Sequence, residues 1–285
     1  PDLIIIGTPP DSHIKLASVA LNLSPKAILI EKPLCTPSKE GLNEFKVASE
    51  NSSTKIFVGY NHILGSACQK IKTIINSKDF GEVITIDVEF REHWGGIFAA
   101  HNWLSGPSDS YLGFYEKGGG ATGEHSHAIN LWQYFAELTE FGDVVDVNAY
   151  MEFIKENNCN YDRLSLINLK SDKNLVGRVI QDVVTKPSRK WARIQFEKGF
   201  IEWECESNTN DSIKFQDNSM PLPEIINFPK TRPDDFIAEL KHINENIKKN
   251  SDFSPISLKR GCDTMAIISA AYESGLCGKS ITLHK

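Results

Sequence analysis

Two places in this sequence put reactive side chains where chemistry is possible. Lys32 stands in AILIEKP (27–33), beside Glu31 after four consecutive apolar residues. Such a run belongs in an interior, where an ammonium is rarely placed unless its charge is used. If the run is a parallel strand, Lys32 sits at its carboxyl end, outside which ligands bind in open α/β sheets. The competing reading is a lysine snorkelling from a strand end. Pro33 permits a cis bond that can fix a turn beside a site. The second place is GGGATGEHSHAIN (118–130). Glu124 and His127 are three apart and share a face on a helix, so the carboxylate can hold the imidazole and raise its basicity. That is an acid/base pair. A purely structural, hydrogen-bonded His127 is the plainer alternative. His125 and His127 as metal ligands are disfavoured, because helical residues two apart do not face each other and no other Cys/His spacing supports a metal. The run also spells G-x-G-x-x-G through Gly118, Gly120 and Gly123. A dinucleotide fingerprint must follow an apolar strand, however, and here Glu116 and Lys117 precede it.

The elements that position these groups follow from periodicity. In the first third, LIIIG, AILI and KIFVGY alternate with amphipathic stretches near 11–23, 37–50 and 63–77. Short, doubly apolar strands separated by helices imply a parallel sheet with crossover helices. Thr36 can cap the second helix with Pro37 in its first turn. Gly7, Thr8 and Pro9 in GTPPDSH end the first strand, where a glycine allows close approach and the next helix presents unpaired N–H groups. VGYNH (58–62) brings Tyr60, Asn61 and His62 to the same edge. From about residue 81 the rhythm changes to strands joined by turns, EVITIDVEF, VVDVNAYMEF, RLSLINLK, LVGRVIQDVV, WARIQFE and FIEWECE, which predicts a large, mostly antiparallel sheet with one covered face. TKPSRKWAR (185–193) reads as a solvated turn, with a phosphate contact as the lesser reading. Near the end Thr231 and Asp234 form a capping-box pattern, and Phe236, Leu240, Ile243 and Ile247 recur at helical spacing. A last helix at about 257–276 is apolar enough to pack on a domain face. The expected fold is α/β: a partial Rossmann-type parallel sheet in residues 1–62, then an α/β unit with an open antiparallel sheet in 63–285.

Composition narrows the partners. The 285 residues carry Lys+Arg 31 against Asp+Glu 37, a net charge of −6, so no basic excess points to nucleic acid or an anionic membrane. The six cysteines are scattered without a C-x-x-C pair, as in a reduced, cytoplasmic protein. No apolar run approaches the roughly 20 residues of a membrane span, and no leader opens the chain. The first residues already read as a strand, so the chain is expected to begin partway into a fold.

Taken in order, PDLIIIGTPPDSH, EKPLCTP, VGYNH, the glycine run before a His-bearing helix, FEKGFIEWE and SLKRGCDTMAIISAAYESGLCGKSITL resemble the glucose-fructose oxidoreductase/inositol dehydrogenase/MocA (GFO/IDH/MocA) family, nearly end to end. The resemblance implies a Rossmann cofactor domain binding NAD or NADP and an α/β domain whose open sheet serves in homo-oligomerisation. It implies that Lys32 contacts substrate near the nicotinamide and that His127 is the acid/base. Where many members carry an Asp four residues before that histidine, position 123 is Gly and the acid is Glu124; Asn130 stands where a substrate-orienting Asp is common. Gly7, Thr8, Pro9, His13, Glu31, Lys32, Pro33 and Asn61 would line the cofactor, and Lys32, His127, Asn130 and Tyr111 the substrate. The family's glycine-rich opening βαβ unit is not in this sequence. The implied activity is hydride transfer between a nicotinamide and a secondary alcohol of a sugar, cyclitol or sugar derivative. Its rivals are a non-catalytic sugar-binding or regulatory homologue and a metal-dependent lyase or isomerase.

Overall fold

Three runs of branched apolar residues pair because only a shared interior satisfies both their side chains and their backbone groups. In the computed structural model, which describes residues 1–77, 79–99, 103–206, 209–250 and 253–283, β1 (Leu3–Ile6), β2 (Ala27–Ile30) and β3 (Lys55–Val58) form a parallel sheet in that order. Leu3 aligns with Ala27 and Ile30 with Val58. All four residues of the central β2 are buried, as a strand covered on both faces requires. Helix α1 (Pro10–Leu21) starts with proline in its first turn and turns Ile14, Ala17 and Ala20 inward. Helix α2 begins only at Leu42 and runs to Glu50. Thr36 therefore caps no helix. Its hydroxyl pairs with that of Ser38 at 2.8 Å while Leu34 and Cys35 are drawn into the core, and the helix starts after Gly41, whose φ of 70° is left-handed.

A 3-10 turn (Asn61–Leu64) and α3 (Ser66–Ser77) lead into the second sheet. Its strands are β4 (Val83–Arg91), β5 (Val144–Glu156), β6 (Cys159–Ser171), β7 (Val176–Asp182), β8 (Arg189–Phe196), β9 (Gly199–Glu206), β10 (Asn210–Asp217), β11 (Glu224–Pro229) and β12 (Ile281–Thr282). They stand in the order β11-β10-β9-β8-β4-β7-β6-β5-β12, antiparallel except where β4 meets β7. The mixed α/β class and the mostly antiparallel second sheet are as the periodicity predicts. Between β4 and β5 lie α4 (Trp94–Ala99), α5 (Gly120–Glu124) and α6 (His127–Leu138). In α6 every residue from Ala128 to Ala136 is buried, and Trp132 Nε1 donates to the Ile86 carbonyl at 2.9 Å, fastening the helix to β4. Helices α7 (Arg232–Lys249) and α8 (Leu258–Cys277) close the chain.

Candidate active site

Lys32 is separated from the end of β2 by Glu31 alone, and its bond to Pro33 is cis. Its ammonium donates to the Glu124 carbonyl oxygen at 2.7 Å and to Glu124 Oε2 at 3.0 Å. Two of its three donors are thus committed, and the third has no partner among the described residues. The pair joins a strand end to a distant helix end. It also corrects the expected Glu124–His127 face. Helix α5 stops at Glu124, His125 and Ser126 turn, and α6 starts at His127, so the two residues do not lie on one continuous helix. Burial makes that break. Gln181 Nε2 pulls on the His125 carbonyl at 2.6 Å, and Asp162 Oδ2 accepts from Thr122 N at 2.8 Å and Thr122 Oγ1 at 2.7 Å. Asp162 Oδ1 accepts from the Tyr272 hydroxyl at 2.9 Å, and burial pushes the Asp162 carboxyl up to about 6.

The glycines serve this packing. Gly120 has φ of 77°, and a Cβ there would lie 1.9 Å from Asp162 Oδ1; a Cβ on Gly123 would lie 2.0 Å from the Gly118 carbonyl oxygen. What precedes them is a 3-10 turn, Tyr115–Lys117, and not a strand. The run is a tight entry to a helix rather than a pyrophosphate cradle.

Lys32, His127, Glu124, Glu31 and Asn61 line one crevice of about 240 Å³ at the carboxyl ends of β2 and β3. Larger cavities of about 490 and 650 Å³ lie beside Arg260 and beside Tyr134 and His242, and hold none of the residues singled out by sequence. The His127 ring packs edge to face against His62, with centroids 4.5 Å apart, and against Tyr60 at 5.6 Å. Burial first, then His62 and Lys32, hold the His127 imidazole well below its ordinary range, so it is neutral at pH 7. His62 is held down likewise, by burial and then by Lys190, Lys230 and Lys32. Burial takes His125 down to about 4. The Glu31 carboxylate lies over Gly59, where a Cβ would meet Oε2 at 2.8 Å, and burial raises its pKa. Gly7, Thr8 and Pro9 are exposed at the end of β1, with the Thr8 and Ser12 hydroxyls 2.6 Å apart. Tyr111 feels the charge of Glu124 and Glu31, although burial is the larger cause of its raised pKa.

Two expected contacts are corrected. His13 is fully buried, its Nδ1 3.0 Å from the Pro33 carbonyl and its Nε2 2.6 Å from the Thr8 carbonyl, so it ties two loops together instead of facing a ligand. Asn130 is also fully buried; its Nδ2 reaches Thr264 Oγ1 on α8 at 3.4 Å, because position 130 falls on the packed side of α6. Other residues were missed. Lys190, inside the basic stretch read as a solvated turn, is 14% exposed, pairs with Glu92 at 3.1 Å and lines the crevice. The period of two in β8 could have found it, since Arg189 and Lys190 must point to opposite faces. Lys230 and Asp235 also line the crevice, paired at 2.9 Å, with Asp211 on the other side of Lys230 at 3.0 Å. No local spacing links these to Lys32. Among the described residues no three His, Cys, Asp or Glu side chains are grouped to hold a metal ion.

A short parallel sheet whose strand ends carry a lysine, beside a helix-borne histidine and a broad antiparallel sheet, defines a Rossmann-type α/β architecture. Residues 1–60 match the model of the GFO/IDH/MocA family, described as oxidoreductase family, NAD-binding Rossmann fold. The chain is 27% identical over 165 residues to Oxidoreductase P35 of Formosa agariphila, a match spanning 57% of this chain and 45% of that protein. Its fold is that of a levoglucosan dehydrogenase solved with NADH and levoglucosan, with a TM-score of 0.84, 17% identity and coverage of 99% of this chain and 80% of that one. An inositol dehydrogenase homologue of Azotobacter vinelandii, solved with NADH and myo-inositol, gives a TM-score of 0.79 at 13% identity, covering 99% and 78%. The aldose-aldose oxidoreductase of Caulobacter crescentus, solved with glycerol, gives 0.80 at 16% identity, covering 99% and 79%.

Proposed function

We propose that this chain serves hydride transfer between the nicotinamide of NAD or NADP and a secondary alcohol of a sugar, cyclitol or sugar derivative. The observation that carries the reading is that Lys32 and His127, remote in sequence, open onto one crevice at the carboxyl ends of parallel strands. The residues there fit a nicotinamide end. Gly7 to Pro9 are exposed before the N-terminus of α1, Glu31 and Lys32 come just after β2, and Asn61 lies just beyond β3. When bound, the nicotinamide supplies the hydride acceptor or donor. The remaining work falls to side chains. Lys32 gives its third donor to the substrate oxygen and stabilises negative charge developing there, while Glu124 holds the ammonium in place. His127, neutral at pH 7, takes the hydroxyl proton.

The substrate class is supported by the walls. Lys32, Lys190 and Lys230 are each paired with a carboxylate, so donors and acceptors alternate around the crevice. A neutral polyhydroxylated compound suits that lining, because every hydroxyl both donates and accepts. On this reading residues 1–62 serve the cofactor and 63–285 the substrate. The outer face of the large sheet, where Tyr150 is 71% exposed, serves contact between copies, and the six free cysteines fit the cytoplasm.

The test begins with NADH and NADPH titrations followed by nicotinamide fluorescence; a saturable change is expected, and a flat response to both overturns cofactor binding by this chain. Against a panel of aldoses, levoglucosan and myo-inositol, Lys32→Met should keep the far-UV spectrum and lower kcat by about 10²- to 10³-fold. Turnover equal to wild type would remove Lys32 from the chemistry.

A further inference from the structure

His62 is a second imidazole in the crevice that the reaction above leaves without work. Its ring is wedged edge-on between Phe90 of β4, at 5.6 Å, and His127 of α6, at 4.5 Å, with Trp203 of β9 at 6.4 Å. Its Nδ1 lies 4.0 Å from Asp235 Oδ2 on α7 and has no hydrogen-bond partner among the described residues. The other charges that face it are Lys190 from β8, Lys230 from the end of β11 and Lys32 from the end of β2, with His125 beyond. Burial, His62, Lys32 and Lys190 make a proton left on His127 unfavourable, and the same two ammonium groups, with Lys230, act on His62. What His62 has in addition is the Asp235 carboxylate.

We propose that His62 is the proton acceptor for His127, receiving on Nε2 the proton that His127 takes from the substrate hydroxyl, with Asp235 fixing the tautomer that leaves Nε2 basic. The inference rests on the proposed hydride transfer, with oxidised nicotinamide as the oxidant. In the oxidation direction the substrate O–H bond breaks as an N–H bond forms on His127, and the carbon-bound hydrogen leaves as hydride to the nicotinamide. The His127 N–H bond then breaks and an N–H bond forms on His62 Nε2. The resulting imidazolium has Asp235 beside it, and solvent at the crevice mouth takes the proton. A negative charge close to Nδ1 favours the tautomer protonated there, since the partner of one ring nitrogen decides the state of the other.

The tautomer can be read without turnover. In the intact chain labelled with ¹⁵N-histidine, with His62→Gln used to assign the ring signals, NMR at pH 7 should show His62 protonated on Nδ1. Asp235→Asn should move the proton signal toward Nε2. A wild-type His62 protonated on Nε2 overturns the relay, because its basic nitrogen is then committed to Asp235; so does an Asp235→Asn chain in which the tautomer is unchanged. The wild-type spectrum alone decides the matter if that variant folds poorly. Failure to bind NADH sinks the hydride reaction and leaves this result standing, whereas the wrong tautomer sinks the relay and leaves His127 to act alone.

Discussion

At the scale of single residues, a carboxyl buried without a partner makes stability depend on pH. Glu239 is 1% exposed on α7, its Oε1 has no hydrogen-bond partner among the described residues, and burial followed by the charge of Glu31 pushes it up to about 8. The folded pKa lies above the ordinary value, so the folded chain holds a proton that the unfolded chain releases. Its contribution to stability is complete below about 4.5 and is lost as pH rises through about 8, at roughly 1.4 kcal/mol per pH unit while it titrates. Glu239→Gln, which carries no charge to bury, should therefore melt above wild type at pH 8 and close to it at pH 5. Thermal melts at the two values check this; a gap that is the same at both pH values would mean that Glu239 does not titrate in that window. His62, His125 and His127 act in the opposite sense. Their imidazolium forms are disfavoured in the fold, so their contribution is complete above the ordinary imidazole range and is lost as pH falls toward about 4, where His125 titrates.

At the scale of elements, the N-terminus of α7 forms one wall of the crevice through Arg232, Asp235 and Phe236, and its start is set by the Thr231–Asp234 capping box, in which Thr231 N donates to Asp234 Oδ2 at 2.6 Å. Thr231→Ala should cost about 1 kcal/mol in urea unfolding with an unchanged m value. No loss would mean that tertiary contacts alone hold the first turn. That box was legible because it is a local pattern. The strand ends that carry Lys32 and Asn61 were legible for a similar reason, since a fully covered strand must be a continuous apolar run. The same helix shows where local reading stops: Ile243 is buried as its spacing predicts, but Phe236 and Leu240 are each 43% exposed, and it is the crevice and not a core that lies beside Phe236. β10 and β11 escaped notice since Asn, Asp and Lys interrupt their apolar positions, and the outermost β11 has no buried residue to set a period. The Glu124–His127 face failed on the helix break, which is imposed by Asp162 and Gln181 from strands far along the chain. Spacing within a segment carries no record of such partners.

At the scale of the whole molecule, α8 ties the two sheets into one cooperative unit. On one side Gly261 approaches β3 so closely that a Cβ would lie 2.5 Å from Val58 Cγ2, and Ser269 Oγ donates to the Pro37 carbonyl at 3.0 Å. On the other side Ser274 Oγ accepts from Ala149 N of β5 at 2.8 Å, and Tyr272 holds Asp162 of β6. The segment entering the helix also adds to the small sheet, with Val58 N donating to the Ile256 carbonyl at 2.8 Å. Separating the sheets would strand these buried polar groups, each at a cost of about 1–3 kcal/mol, so neither sheet should unfold while the other stands. All five tryptophans lie at position 94 or later and report on the larger sheet, whereas far-UV ellipticity sees both. In urea the two signals should share one midpoint. Gly261→Leu forces a side chain into the contact between α8 and β3, where a Cβ already meets Val58 and Leu34, and overpacking of this kind costs about 1–3 kcal/mol. If the sheets are coupled, the tryptophan midpoint falls together with the ellipticity midpoint. A tryptophan curve that stays where it was, while the ellipticity splits into two steps, would show that the crevice is assembled from halves that are stable apart.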